Sequence, residues 1–426
     1  MSLARFSYSC LLYGLLPFIF IKLWWRGRLN PAYRQAWGER LGYVKAVQAP
    51  QPCICLHAVS VGETMAARPL IEQLLIRYPE HKLWITSITP TGAATVERLL
   101  GTRVGRSYLP YDTPTAVKRF LQQLQPQLLL VMETELWPNL YAACAQAKIP
   151  LVVVNARLSE RSARAYARIQ SLTLETLASI SLIAAREHQD AERFLALGAV
   201  PKQLKVLGNI KFDAPIATEV KAHAIELRRA WGERLVWVAA STHQGEDEFI
   251  LQAHTELLRQ FPDLLLILVP RHPERFAEVA LLCEQTQLKY QRRSSAQVLA
   301  NTSSVLLGDS MGELLIWYAC ADAAFVGGSL VDVGGHNPLE ALAFGVPVVS
   351  GSYIHNFQDI YAELVKRGLA MLVDSPVLLA HHLAAWLGKP TARQQAGQAG
   401  QQFLEQQRGV VERLLPELDK LLNAKN

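Results

Sequence analysis

Residues 325–351 read FVGGSLVDVGGHNPLEALAFGVPVVSG, and this stretch decides the fold. Its apolar start reads as a short strand that breaks at Gly327-Gly328. A second turn falls at Gly334-Gly335, a helix starts at Asn337-Pro338, and residues 346–349 read as another strand. Paired glycines let backbone N–H groups approach a ligand with no Cβ in the way. Asn337 suits an N-cap and Pro338 the first helical position, and the open N–H groups of such a turn favour an anion. Glu340, three residues after Asn337, either closes a capping box or reaches ligand hydroxyls. A strand, a glycine turn, an open helix start and a carboxylate together suit a sugar nucleotide: backbone for phosphate, carboxylate for ribose.

Outward from this stretch, apolar runs alternate with helical ones. In the second half the runs are 236–240, 264–269, 305–307 and 323–326; in the first half they are 53–59, 83–87, 128–132, 151–154 and 182–184. Helical stretches such as 65–77 and 113–123 lie between them. Continuous apolar strands separated by helices predict parallel sheets covered on both faces. The alternation pauses from Asn209 to Gly232, so the chain divides into two doubly wound α/β domains with a cleft between them, where such folds place ligands. The expected boundaries are 1–30 for an N-terminal anchor, 31–214 for the first domain and 233–426 for the second.

The net charge of +6 over 426 residues is mild. It is too small to argue for nucleic acid by itself, no nucleic-acid partner is expected, and it is compatible with phosphorylated substrates or an anionic membrane. Six cysteines lie mostly in apolar segments without metal-ligand spacing; they read as reduced core residues of a reducing compartment. Residues 6–21 carry no charge and are followed by Lys22, Trp24, Trp25 and Arg26. This run falls slightly short of the roughly twenty residues of a spanning helix, and snorkelling Lys22 with the interfacial tryptophans extends it. No small-residue cleavage site follows, which predicts an uncleaved signal-anchor. Arg5 stands alone upstream, against Lys22, Arg26, Arg28, Arg34, Arg40 and Lys45 downstream, so a spanning segment leaves the bulk of the chain in the cytoplasm. A buried core helix and an interfacial helix broken at Pro17 are the alternatives.

Polar motifs follow the predicted strands. HAVSVGE places Glu63 after the first one, where it either accepts a proton from a sugar hydroxyl or closes a Ser60-x-x-Glu63 capping box. METELWPN puts Glu133 and Glu135 after the third, either to orient a hydroxyl-rich acceptor or to favour a helix start. Arg157, Arg161, Arg164 and Arg168 share one face of a predicted helix, either holding acceptor phosphates or simply solvated. Lys211, in GNIKFD, either stabilises charge or sits in an interdomain turn. In the second half, STHQGE and PRHP stand at strand exits, and Arg271 reads as a phosphate or base contact. Ser310 suits an N-cap with Glu313 at the third helical position, while Gly312 in that first turn implies close approach by something else.

Taken together in this order behind an anchor, HAVSVGE, METELWPN, NARLSERS, GNIKFD, ASTHQGE, VPRHPERF, GDSMGELLIWYACAD and residues 325–351 resemble the 3-deoxy-D-manno-octulosonic acid (Kdo) transferases of lipopolysaccharide synthesis. The resemblance spans residues 38–356, with no departure inside these blocks. It implies a B-type glycosyltransferase with two Rossmann-like domains, the acceptor on the N-terminal one and CMP-Kdo on the C-terminal one. It implies that Glu63 activates a hydroxyl of the lipid A precursor, and that Glu133 and Lys211 stabilise the transition state. The segments Pro270-Arg271, Met311-Gly312-Glu313 and Asn337-Pro338-Leu339-Glu340 correspond to CMP contacts. No cofactor and no metal are expected, and transfer is expected to invert the anomeric centre at the cytoplasmic side of the inner membrane. A B-type sugar-nucleotide epimerase and a non-catalytic membrane adaptor that binds nucleotide or lipid are the alternatives.

Overall fold

The computed structural model describes residues 2–44, 51–213, 218–295 and 297–423. Lys45 of the basic flank, Pro50 of the linker and boundary residue 214 lie outside them. Two compact units result, one of Met1–Pro215 with Gln407–Asn426, the other of Ile216–Gln406. The second therefore begins before the expected residue 233 and ends before the expected 426.

Unit 1 is built on strands β1 (Cys53–His57), β2 (Lys82–Ser87), β3 (Gly105–Tyr108), β4 (Pro126–Met132), β5 (Leu151–Ala156), β6 (Leu182–Ala185) and β7 (Leu204–Val206). They pair in the order β3-β2-β1-β4-β5-β6-β7, every pair parallel. Unit 2 carries β8 (Val236–Thr242), β9 (Leu265–Pro270), β10 (Tyr290–Arg292), β11 (Val305–Leu307), β12 (Ala323–Val326), β13 (Val348–Gly351) and β14 (Ala370–Val373), in the order β10-β11-β9-β8-β12-β13-β14. These pairs too are parallel. Central strands such as β4 and β8 are almost wholly buried, which is why they read as unbroken apolar runs. The outer strands β3, β7 and β10 carry polar side chains and are partly exposed, so apolar runs did not reveal them. In each sheet the order reverses beside a central strand, at β1/β4 and at β8/β12, and doubly wound sheets gather ligands at the carboxyl ends there.

The helix Val410–Asn423 explains the altered boundary. Its Val410, Val411, Leu414, Leu415 and Leu418 join Ile54, Leu56, Leu70 and Leu130 in one buried cluster of unit 1. Its start is fixed by Asp213, whose carboxylate accepts the N–H groups of Gly409 at 2.8 Å and Val411 at 2.6 Å. An acid at that end complements the helix dipole.

The helix Leu3–Arg26 is long and apolar enough to cross a membrane, yet its first half is docked on unit 1. Arg5, 7 % exposed, pairs with Glu175 at 3.0 Å. Ser9 exchanges hydrogen bonds with the Asn139 amide, and the Tyr13 hydroxyl meets Thr115 at 2.8 Å. These residues recur at four-residue spacing, so they occupy one face. Leu3, Phe6, Leu11, Phe18, Ile21 and Trp25 are all more than half exposed.

Candidate active site

In unit 1 the helix Val61–Arg77 follows β1 directly, with Ser60 as its N-cap. Ser60 Oγ accepts the Glu63 N–H, while Glu63 Oε2 accepts the Val59 N–H at 2.8 Å and Oε1 receives the Ser60 hydroxyl at 3.3 Å. The capping arrangement thus exists, and it fixes the carboxylate without enclosing it, since Glu63 remains half-buried. Burial pushes its carboxyl up to about 7, helped by the negative Glu133 and Glu135 and opposed by the bonds from Val59 and Ser60. Glu135 is also pushed up to about 7, by burial and then by Glu133. Two carboxylates, Glu63 at the exit of β1 and Glu135 after β4, are therefore both reluctant to ionise.

Glu133 adopts φ 57° and Asn155, near the end of the neighbouring β5, φ 55°. Non-glycine residues are held in this left-handed region only where their surroundings over-determine them, a condition common at functional sites. The Glu133 N–H is fixed by the Val154 carbonyl at 2.8 Å. Asn155 Oδ1 accepts the Ile210 N–H at 3.0 Å, anchoring the turn Ile210–Asp213 that carries Lys211. This turn packs on the Val61–Arg77 helix, so the segments of Glu63, Glu133 and Lys211 converge on one edge of the sheet.

The same edge holds several buried polar atoms without a protein partner: His57 Nε2, Thr134 Oγ1, Trp137 Nε1 and Asn155 Nδ2. Buried polar groups are rarely left unpaired, and such a concentration suits a hydroxyl-rich ligand. His57 is held at its other nitrogen by Thr86 Oγ1 at 2.9 Å, and burial depresses its pKa to about 4, keeping the ring neutral.

The arginine stripe is only partly formed. The helix spans Glu160–Ala167, so Arg157 precedes it and does not share its face. Arg168 caps its C-terminus. Arg161 and Arg164 are exposed, and Arg164 pairs with Glu160 at 3.4 Å.

In unit 2 the glycine stretch departs from its reading. The helix after the turns is Leu339–Leu342, preceded by Pro338 as its cap. Asn337 is not the N-cap; its Oδ1 accepts the Leu339 N–H at 3.1 Å and its amide donates to Glu340 at 3.4 Å. Burial raises the Glu340 pKa, opposed by Asn337 and by the positive Arg271. Three of the four turn-glycine N–H groups are not open to a ligand: Gly327 donates to the Ala240 carbonyl, Gly335 to the Gly328 carbonyl and Gly328 to Glu246. Glu246, the last residue of STHQGE, is the organiser, a role its strand-exit motif did not show. Its fully buried carboxylate accepts four backbone N–H groups, from His243 and Gly328 through Oε2 and from Ser329 and Leu330 through Oε1, at 2.7–3.0 Å.

The Ser310 cap is also corrected. The helix begins at Leu314, and the Ser310 hydroxyl bonds to the Glu313 carboxylate instead of a backbone N–H. Gly312 lies before the helix at φ 88°, which accounts for the glycine with no close neighbour needed. Burial works to raise Glu313, but bonds from Arg293 and Ser310 outweigh it and hold the carboxylate below its usual range. Arg293 reaches it at 2.8 Å. Met311 is 55 % exposed beside it. After β9, the Arg271 N–H donates to the Thr242 carbonyl at 3.0 Å, and its side chain is exposed. A separate cavity of about 720 Å³ in unit 2, lined by Lys221, Arg228, Phe344 and Gln401 among others, includes none of the sequence-predicted site residues.

Two parallel doubly wound sheets, each gathering polar side chains at its carboxyl edge, define the two-domain B-type glycosyltransferase class. Residues 35–214 match the family described as 3-deoxy-D-manno-octulosonic-acid transferase (kdotransferase), and residues 236–403 match glycosyl transferases group 1. The chain is 43 % identical over 414 residues to the 3-deoxy-D-manno-octulosonic acid transferase of Haemophilus influenzae, covering 96 % of this chain and 97 % of that one. The Bordetella pertussis transferase of the same description is 34 % identical over 436 residues, covering 99 % and 100 %. The chain belongs to the 3-deoxy-D-manno-octulosonic acid transferase family and is a glycosyltransferase. Its fold is also similar to that of UDP-GlcNAc 2-epimerase from Neisseria meningitidis, with TM-score 0.59, 15 % identity and coverage of 86 % and 100 %. That likeness concerns architecture alone.

Proposed function

We propose that this enzyme transfers Kdo from CMP-Kdo to a hydroxyl of the lipid A precursor lipid IVA, with inversion and without a metal. The observation that carries this reading is Glu63, a carboxylate fixed at the β1 exit with a pKa near 7. A general base works best when its pKa lies near the working pH. Glu63 takes the hydroxyl proton as the oxygen attacks the anomeric carbon of Kdo. The bond from that carbon to the phosphate oxygen breaks, and its electron pair leaves with cytidylate. Glu133 and Lys211 stabilise the charge that develops. Pro270-Arg271, Met311-Gly312-Glu313 and Asn337-Pro338-Leu339-Glu340 hold CMP, with Arg271 supplying positive charge.

Arg161 and Arg164 meet acceptor phosphates in this reading, whereas Arg157, off the helix, is the weaker candidate. The exposed apolar face of Leu3–Arg26 and its basic end attach the enzyme to the cytoplasmic side of the inner membrane. The polar face docked through Arg5 and Ser9 favours a helix lying in the lipid interface over one that spans it.

The experiment supplies CMP-Kdo to the enzyme with a tetraacylated lipid A precursor in anionic vesicles. A mass gain of one or more Kdo residues, with the enzyme sedimenting with the vesicles, supports the reading; no gain rejects it. Changing Arg161 and Arg164 to Ala is expected to weaken use of the acceptor several-fold while leaving the KM for CMP-Kdo unchanged, and equal effects on both would reject the acceptor role. The rate should rise with pH through a midpoint near 7 as Glu63 ionises. Glu135→Gln removes a negative neighbour, which makes ionisation of Glu63 easier. The midpoint of the pH–rate profile is therefore expected to move to lower pH, and an unmoved midpoint would show that Glu63 does not set it.

A further inference from the structure

Three histidines meet at the carboxyl edge of the second sheet, from three different strand exits. His243 follows β8, His272 follows β9 and His336 lies in the loop after β12. The His243 and His336 rings lie head to head, with centroids 5.2 Å apart and planes at 15°, and their Nε2 atoms approach to 2.9 Å. His272 meets His243 edge-on at 5.2 Å.

The loop is shaped around this pair. At Gly328 a Cβ would stand 3.0 Å from His336 Nε2 and 3.4 Å from His243 Cδ2, and its φ of 68° admits glycine readily. Glu246 Oε2 holds the backbone N–H groups of both His243 and Gly328, and the His336 N–H is tied to the Gly327 carbonyl.

The contact dictates where protons sit. Two facing Nε2 atoms at hydrogen-bond distance must share one proton, since two would collide and none would leave lone pairs opposed. The ring that accepts through Nε2 must then carry its own proton on Nδ1. The ring that donates through Nε2 has a bare Nδ1 when neutral and an Nδ1–H when protonated. Neither Nδ1 has a protein hydrogen-bond partner among the described residues. The neutral pair therefore offers a ligand one donor and one acceptor, and the singly protonated pair offers two donors.

We infer that His243 and His336 form a proton-adjustable clamp for the phosphate of the donor nucleotide, taking up one proton when the anion binds and so presenting two N–H donors to its oxygens. This rests on the donor-site reading above. As the bond to the Kdo anomeric carbon breaks, the leaving phosphate changes from a monoanionic diester to a dianionic monoester. The clamp's second Nδ1–H is then a hydrogen-bond donor to the oxygen that receives the electron pair.

The surrounding charges fit a clamp that stays neutral until the anion arrives. His243 faces Glu246, which favours its charged form, and His272, Arg275 and Arg271, which oppose it. His336 faces His243, Arg271 and His272. Burial is the largest influence on both rings and also opposes charge; it takes the leading part in bringing His336 down to about 4. An incoming phosphate offsets the cations and reverses the balance. Because the bound pair then has the higher pKa, CMP affinity is expected to strengthen as pH falls from 8 to 6.

Calorimetric titration of the full chain with CMP, at pH 6.5 in two buffers of different ionisation heat, counts protons taken up. The parent is expected to take up about one proton more than either His243→Gln or His336→Gln. CMP's own titration is common to all three, and cytidine, lacking the phosphate, should draw no proton in any of them. Equal counts in the parent and in a variant that melts like the parent would overturn the clamp. Arg271→Ala serves as the separate check on the donor site, where it should weaken CMP binding. If CMP does not bind the parent, the donor-site reading fails, and the clamp with it.

Discussion

Glu63→Gln is expected to lower turnover by about 10²–10⁴-fold, the usual worth of a positioned general base, while CMP binds as in the parent. The glutamine amide can keep the geometry seen at the β1 exit, because its oxygen can still accept the Val59 N–H where Glu63 Oε2 does at 2.8 Å. What it cannot do is receive a proton from the acceptor. The substitution also removes a carboxyl whose ionisation is opposed by burial and by two neighbouring acids. A group with a raised carboxyl pKa destabilises the fold as pH climbs from the unfolded value of about 4.3 toward 7. The variant should therefore lose less stability than the parent across that interval. Single-turnover mass spectrometry and a urea titration at two pH values read the two effects, and turnover within tenfold of the parent would remove Glu63 from the chemistry.

Glu246→Ala is expected to be the most damaging single change in unit 2. It leaves four backbone N–H groups, those of His243, Gly328, Ser329 and Leu330, without their fully buried acceptor, two of them at buried residues and two at partly buried ones. Each unsatisfied buried group costs about 1–3 kcal/mol before relaxation or water entry, so a net loss of about 3–5 kcal/mol follows for the four together. Glu246→Gln should fall between, because the amide keeps one acceptor oxygen and points an NH₂ at N–H donors. Chemical unfolding measures this directly, and a loss below about 1 kcal/mol in the alanine variant would mean that the loop holds itself.

The largest elements were legible for a simple reason. Strands buried on both faces must be apolar throughout, so the runs that became β4, β8, β9 and β12 announce themselves, whereas β3, β7 and β10 bury only part of their surface and do not. Motifs at strand exits were legible too, since β1 and β4 place Glu63 and Glu133 at one edge. The roles inside the glycine stretch were not. Open N–H groups were inferred from Gly327-Gly328, but the Ala240 carbonyl takes that of Gly327, and Glu246, a carboxylate eighty-two residues away, takes that of Gly328. Local sequence can propose a donor without knowing which distant acceptor reaches it first.

By itself the sequence determined two parallel α/β sheets, an apolar N-terminal helix and a family, because periodicity, length and ordered motifs are properties of neighbouring residues. Only the tertiary structure decided that the last helix returns to unit 1 through Asp213 and a shared apolar cluster. It likewise decided that Arg157 leaves the arginine face, and that His243 and His336 meet across ninety-three positions of chain. Those outcomes depend on contacts between segments far apart in sequence, where burial and hydrogen-bond competition, not local preference, select the arrangement.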